Sequence, residues 1–272
     1  GLRAGFNSMT ARADDRAWID GQKLFFAGDL CQESMDPVQL AEAIGMICNL
    51  RSFEAIVPDR HYLHRSGMVL VGDTAITTAA FLPQQGQTDD FSQCLIELPL
   101  SAGAGTCFTL ERRDYQCHGG VQGLFLPGQA MKAVSSEPTA TLGFNLDPAR
   151  LTDLLVHMSH QTLRPEQARL DLQHPHTIDL QDSRVAELWQ WLQSILRMLG
   201  ASSVILRDPK GALALSIEEL IYRASLLMMM PDLIRFTPDT PRRESTSAWA
   251  VEAPGTLFPG FRIMPSPWQA LS

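Results

Sequence analysis

The spacing of apolar residues changes character along the chain. Between residues 53 and 144, short apolar runs alternate with Gly, Pro, Asp and Ser. Many short runs separated by turn residues are typical of β-strands in a barrel or a sandwich. The predicted strands are residues 61–70, 74–81, 93–100, 106–110, 121–126, 131–135 and 139–145. We therefore predict that the middle of the chain forms a β-layer.

Helical patterns lie on both sides of this β-layer. Asp36 and Pro37 suit the cap and the first turn of a helix over residues 36–50. After Asn145, apolar residues recur at the three- and four-residue spacing of an amphipathic helix. The three helices predicted there begin at Asp147, near Asp182 and at Ser216. Strands followed by helices indicate an α+β fold.

The chain divides into four predicted segments. Residues 1–35 are an N-terminal arm and lead-in, with a loose polar arm up to about residue 23. Residues 36–146 hold one helix and the β-layer, and residues 147–235 form a helical segment. Residues 236–272 contain six of the 17 prolines, a density that breaks long helices. We predict an irregular tail there.

The overall charge narrows the classes of function. A net charge of −8 argues against a nucleic-acid-binding chain, because binding of phosphates needs basic side chains. The longest strongly apolar run, residues 226–230, is too short for a membrane, and the N-terminus has no apolar signal segment. The five scattered cysteines form no Cys-x-x-Cys pair, which is typical of reduced thiols. We predict a cytoplasmic protein that binds neither DNA nor membranes.

Signals for catalysis are weak throughout the chain. His61 and His64 lie three apart on a predicted strand, so their side chains point to opposite faces. His157 and His160 could share a helix face, but the further ligands of a zinc site are not evident. No Gly-x-Ser-x-Gly elbow occurs. We predict no catalytic residue, no metal and no cofactor, and hence no enzyme.

The interior of the β-layer is the predicted site for a ligand. Phenylalanines in the strands, together with one or two cations, would hold a small organic acid. Filling of a closed core is the alternative, and we weigh the two equally. The predicted ligand-binding residues are Arg60, His61, Phe108, Arg112, His118 and Phe125.

Several short motifs follow each other along the chain, and their order is informative. They are Arg60-His61 leading to Ser66-Gly67-Met68, then Leu98-Pro99-Leu100, then Leu126-Pro127-Gly128, then the helix that begins at Asp147. In this order the chain resembles, over residues 36–235, the effector-sensing domain of AraC/XylS-type transcription regulators. The resemblance implies a cupin-like β-barrel, a helical dimerisation segment, a small carboxylic or aromatic acid as effector, and cytoplasmic gene regulation.

The sequence lacks a counterpart of the helix-turn-helix domain that such regulators carry. Residues 236–272 offer neither the length, nor the charge, nor the helical pattern for one. Three explanations stay open: an artificially shortened chain, a truncated or frameshifted gene, and a sensor that works alone. We predict ligand sensing and dimerisation for a regulator, without DNA binding by this chain. The alternatives are a stand-alone protein that modulates a full-length regulator and, less favoured, a cupin-type enzyme.

The helix predicted over residues 182–199 carries more apolar surface than one neighbouring layer needs. Trp189 and Trp191 flank its apolar stripe of Leu188 and Leu192. Exposed apolar patches usually mark a partner surface, and a two-fold dimer is the commonest way to cover one. We therefore predict a homodimer. The predicted interface residues are Trp189, Trp191 and Leu196.

Overall fold

Two antiparallel β-sheets pack face to face in the computed structural model, which describes residues 13–26, 30–57, 61–160, 162–201 and 216–236. The strands are β1 (Cys31–Ser34), β2 (Leu50–Ala55), β3 (His64–Val71), β4 (Thr74–Phe81), β5 (Gln84–Thr88), β6 (Cys94–Pro99), β7 (Cys107–Leu110), β8 (Arg113–Gln116), β9 (Gln122–Leu126), β10 (Met131–Ser135), β11 (Thr139–Leu146) and β12 (His176–Asp179). The larger sheet has the order β1-β3-β4-β11-β6-β9-β12, and the smaller sheet has the order β2-β5-β10-β7-β8.

Helices precede, interrupt and follow the strands. They are α1, whose described part covers residues 13–21, α2 (Pro37–Gly45), α3 (Pro148–Met158), α4 (Pro165–Asp171), α5 (Ser183–Ala201) and α6 (Ile217–Met229). A 3-10 helix, Pro231–Phe236, follows α6. The carboxylates of Asp36 and Asp147 cap α2 and α3, and each is followed by a proline that suits the first turn. Both caps were predicted from the sequence.

The strand β11 lies at the centre of the larger sheet, between β4 and β6, and all eight of its residues are buried. Alternate side chains of a strand point to opposite faces. Leu142 and Phe144 belong to the main core, together with apolar residues of α3, α5 and α6. Thr141 and Asn145 instead face the space between the two sheets. One strand therefore separates the helical layer from the inside of the sandwich.

A network of ion pairs and hydrogen bonds fixes α6 to the larger sheet. The Oε1 atom of Glu218 accepts from the backbone N–H of Asp73, at 3.1 Å, and from the hydroxyl of Thr74, at 2.8 Å. Its Oε2 atom lies 2.9 Å from Nη1 of Arg150, whose guanidinium stacks 4.2 Å above the ring of Tyr222. Burial opposes ionisation of Glu218, but these hydrogen bonds outweigh it and lower its pKa. The helical layer is thus anchored to the β3–β4 turn.

The fold is α+β, a β-sandwich with helices, as the sequence predicted. The loose arm predicted up to about residue 23 was wrong for residues 13–23, because α1 covers residues 13–21 and buries Ile19 completely. The lead-in also holds β1, which pairs with β3. The irregular tail beyond residue 236 lies outside the described residues. The other predicted segment boundaries remain predictions.

Candidate ligand-binding site

A cavity of about 450 Å³ lies between the two sheets. This volume is within the usual range for sites that bind small molecules. Leu40 and Ile44 of α2 form one side of the wall, and Phe53, Phe81 and Phe108 of the strands form other parts of it. The wall is therefore largely apolar, and a short helix covers part of it.

The larger sheet supplies a group of polar atoms around Gly143. In the sheet register, Gly143 lies opposite Thr77 on β4 and opposite Glu97 on β6. A Cβ atom built on Gly143 would lie 2.6 Å from Oγ1 of Thr77 and 3.6 Å from Oε2 of Glu97. Both side chains therefore lie close to the space that a side chain at position 143 would occupy. We call this place, bounded by Thr77, Glu97, Thr141 and Asn145, the Gly143 niche.

Glu97 is the most unusual group of the niche. Its side chain is buried, and the residue is 9% exposed. Burial raises the pKa of Glu97 to about 8, although a hydrogen bond with Thr141 opposes the rise. At pH 7 this carboxyl is therefore mostly protonated. A buried carboxyl with a strongly raised pKa, placed in a cavity, is typical of a functional site.

Asn145 brings a second polar side chain to the niche. Its Nδ2 atom donates to the backbone oxygen of Ile47 at 2.9 Å, which ties the niche to the segment after α2. Its Oδ1 atom is buried and accepts no hydrogen bond from the described part of the chain. Buried acceptors are normally satisfied, because leaving one unpaired costs about 1–3 kcal/mol. The niche therefore contains an acceptor that suits a donor from a ligand.

The two predicted phenylalanines lie in different parts of the fold. Phe108 lines the cavity from β7, and its role in ligand binding stays a prediction. Phe125 is fully buried on β9 but belongs to the main core with the helices, where its ring contacts His176 edge to face. The placement of Phe125 in the cavity was wrong, because Leu124 and Leu126 occupy the face of β9 that turns inward.

The three predicted cations that the structure describes, His61, Arg112 and His118, do not line the cavity. Arg112 lies in the exposed turn between β7 and β8, in a left-handed conformation with φ of 68°. His118 forms an isolated bridge with Gln122, and His61 precedes β3, away from the cavity lining. These three predictions were wrong about location, because all three residues lie in segments between strands, outside the strand positions that face the cavity. Arg60 lies outside the described residues.

Sequence reasoning missed Glu97, Asn145 and Thr77. The available signal was Glu97, a single acid between the apolar residues Ile96 and Leu98 of one predicted strand. A charged residue inside such a run is rarely buried without a role. The contribution of Thr77 and Asn145 depends on the pairing of β4 with β11, which no local pattern encodes.

The predicted dimer residues lie in different environments on α5. Trp191 is 44% exposed, and Met198 is 51% exposed. Met198 lies two helical turns after Trp191, on the same side of α5. Trp189 is half-buried, with its ring edge to face against Phe25 at 6.4 Å. Leu196 is completely buried in the main core. The assignment of Leu196 to an interface was therefore wrong, because its side chain is already covered by its own chain.

Within the described ranges, no group of three His, Cys, Asp or Glu side chains is placed to hold a metal ion. No helix in the part of the chain that the structure describes is both long and apolar enough to cross a membrane.

The chain resembles known proteins in structure but not in sequence. No family model and no curated protein sequence matches the chain. The crystal structure of the AraC-like transcriptional activator CuxR matches at 9% identity, covering 71% of this chain and 69% of that chain, with a TM-score of 0.49. The EutQ protein of Clostridium difficile matches at 8% identity, covering 32% of this chain and 71% of that chain, with a TM-score of 0.27.

A cupin domain is also among the similar structures. The Cupin_2 domain of an XRE family transcriptional regulator from Enterobacter cloacae matches at 11% identity, covering 30% of this chain and 95% of that chain, with a TM-score of 0.26. All three structures resemble this chain in their backbones only, with TM-scores below 0.5. We therefore infer the function from the residues of this chain.

Proposed function

We propose that this chain is the ligand-sensing and dimerising part of a transcription regulator of the AraC type. The observation that carries the proposal is the position of β11. Its inward residues Thr141 and Asn145 border the cavity, and its outward residues Leu142 and Phe144 pack against the helical layer. A ligand in the cavity therefore contacts the same strand that supports the helices.

The end of β11 offers a direct route from the niche to the helices. Two residues after Asn145, Asp147 caps α3 through its side chain. The backbone N–H of Asp147 also donates to the hydroxyl of Tyr222 on α6, at 2.8 Å. A ligand that binds one arrangement of this connection more tightly than another shifts the population of the helical layer. Such a shift is what a sensor must deliver to a dimer surface.

Blocking the cavity is expected to abolish ligand binding. Ala133 lines the cavity from β10, so the variant Ala133→Phe fills part of the space with a large side chain. Compounds that raise the melting temperature of the natural chain in a concentration-dependent manner should leave this variant unshifted. The control Ala149→Phe adds the same side chain at an exposed site on α3 and should respond like the natural chain. Equal shifts in both variants would place the ligand outside the cavity.

The surface around Trp191 and Met198 is the proposed dimer contact. Both side chains are large, apolar and exposed on one side of α5. The double variant Trp191→Ser and Met198→Ser should raise the dimer dissociation constant about 100-fold or more, measured by sedimentation velocity. The control Leu70→Ser removes an even more exposed apolar side chain from β3 and should leave the dimer intact. A natural chain that sediments at 30 kDa at every concentration would contradict the dimer.

The proposal assigns no DNA reading to this chain. Its 30 Asp and Glu residues outnumber its 22 Lys and Arg residues, and this net charge of −8 opposes binding to phosphates. A stand-alone modulator of a full-length regulator would share the cavity and the helical surface. The two roles differ in the partner, which is a second copy of this chain in one case and a different regulator in the other.

A further inference from the structure

We propose that the Gly143 niche binds the protonated amino group of a small and otherwise apolar amine. This inference rests on the proposed function, in which the cavity holds the effector. It names the chemistry of the effector rather than its identity.

The niche presents hydrogen-bond acceptors that converge on one place. The hydroxyl of Thr77 donates to the backbone oxygen of Gly143, at 3.4 Å, so its lone pairs remain available to a ligand. The Oδ1 atom of Asn145 has no donor among the residues that the structure describes. Glu97 completes the set with its carboxyl oxygens. An ammonium group carries three donors and no acceptor, which matches such a set.

The charges around the cavity favour a cation over an anion. Among the described residues that line the cavity there is no Lys, Arg or His, and Glu97 is the one acidic residue. A ligand carboxylate would be buried beside another carboxyl without a compensating cation, which is strongly unfavourable. The small organic acid expected from the sequence therefore does not fit this lining. An ammonium beside Glu97 would form a buried, hydrogen-bonded ion pair.

The absence of a side chain at Gly143 makes room for the amino group. A Cβ atom there would meet Oγ1 of Thr77 at 2.6 Å, closer than any ordinary contact. The apolar wall, which includes Phe53, Phe81 and Phe108, then surrounds the hydrocarbon part of the ligand. The cavity of about 450 Å³ has room for an alkyl chain or a single ring.

Binding of an amine is expected to depend on pH through Glu97. The ion pair needs the carboxylate, whereas a pKa of about 8 leaves Glu97 mostly protonated at pH 7. Affinity should therefore rise about tenfold from pH 6 to pH 7 and level off above pH 8, with about 0.9 proton released per amine bound at pH 7. Among the described residues, the other titratable groups in or beside the lining include the thiols of Cys48 and of Cys117, which lies 3.9 Å from the backbone oxygen of Glu97. Burial raises the pKa of both thiols, so neither titrates between pH 6 and pH 8. They also include His64 and Tyr62, which hydrogen-bond to residues of the lining. Burial lowers the pKa of His64 and raises that of Tyr62.

The test is calorimetric titration of the full chain with three probes that share one skeleton: hexylamine, 1-hexanol and hexanoate. At pH 8, hexylamine should bind about tenfold or more tightly than hexanol, and hexanoate should bind most weakly. Titrations of hexylamine at pH 6, 7 and 8, each in two buffers of different ionisation enthalpy, give the pH dependence and the proton release. These measurements on the natural chain need no variant.

Two matched variants locate the effect. Glu97→Gln keeps the shape of the side chain and should weaken hexylamine binding about tenfold or more, remove its pH dependence and leave hexanol within about threefold. Glu166→Gln, at an exposed position on α4, should behave like the natural chain. Hexanol or hexanoate binding as tightly as hexylamine, or pH-independent binding of hexylamine, would overturn the amine inference and leave the cavity as a sensor site. Failure of all three probes to bind would count against both proposals.

Discussion

Replacing Glu97 by glutamine is expected to stabilise the protein by about 3 kcal/mol at pH 7, while changing its stability by less than about 0.5 kcal/mol at pH 4.5. The carboxyl has an ordinary pKa of 4.5 when unfolded, and burial raises this pKa to about 8 in the folded protein. Folding at pH 7 must therefore return a proton to Glu97. Glutamine fills nearly the same volume and has no proton to take up.

The sign of the pH effect follows from the direction of the shift. Because the folded pKa is raised, the stability associated with Glu97 is fully present below pH 4.5 and is lost as the pH rises towards 8. Urea unfolding at pH 4.5, 7 and 8 should show the two proteins diverging across this window. The variant Glu166→Gln, exposed on α4, is the control and should follow the natural chain. A destabilised Glu97→Gln protein at pH 7 would contradict the buried, protonated carboxyl.

This expected gain bears on function. Most buried residues stabilise the fold, whereas Glu97 is expected to destabilise it at neutral pH. Residues that destabilise the fold are concentrated at functional sites. The same substitution is expected to weaken amine binding. Greater stability together with a lost ligand response would identify Glu97 as a residue whose contribution lies in binding rather than folding.

Shortening Leu196 to alanine is expected to lower the free energy of unfolding by about 3–4 kcal/mol. The leucine is completely buried on α5, in the main core shared with the larger sheet and α6, so its removal leaves a cavity. Gln190→Ala, exposed on the same helix, should change stability by about 0.5 kcal/mol or less. Both effects are measured by urea unfolding at a fixed protein concentration.

The Leu196 experiment also separates core from interface on α5. A core role predicts a lower unfolding midpoint at every protein concentration, with the association of the folded chain unchanged. An interface role predicts dissociation with little loss of monomer stability. The exposed large apolar residues of α5 are Trp191 and Met198. We therefore expect the dimer to dissociate when those two residues are replaced, and not when Leu196 is shortened.

Local chemistry accounts for the parts of the fold that the sequence predicted. The pairs Asp36-Pro37 and Asp147-Pro148 start helices because a carboxylate accepts from the first free N–H groups and proline needs no donor. The strands β4, β6 and β11 carry apolar or β-branched residues along their length and end in turn residues. These features involve neighbours in the sequence and therefore appear in its pattern.

Pairing accounts for the strands that the sequence did not predict. The strand β5, with the sequence QQGQT, has little β-propensity of its own. It is a strand because β2 and β10 supply hydrogen bonds on both of its sides. The strand β12 likewise lies in a segment predicted to be helical and pairs with the edge of β9. Partners distant in the sequence decide such elements.

The candidate site shows the same division between local and distant information. The sequence by itself determined that Glu97 lies in an apolar strand and that the β-layer could enclose a ligand. It could not determine that Phe108 faces inward and Phe125 outward, because each face depends on how the sheets pack. Only the tertiary structure brought Thr77 and Glu97 together over Gly143, since the register of three strands places them side by side. Contacts of this kind join residues far apart in the chain, and no local periodicity records them.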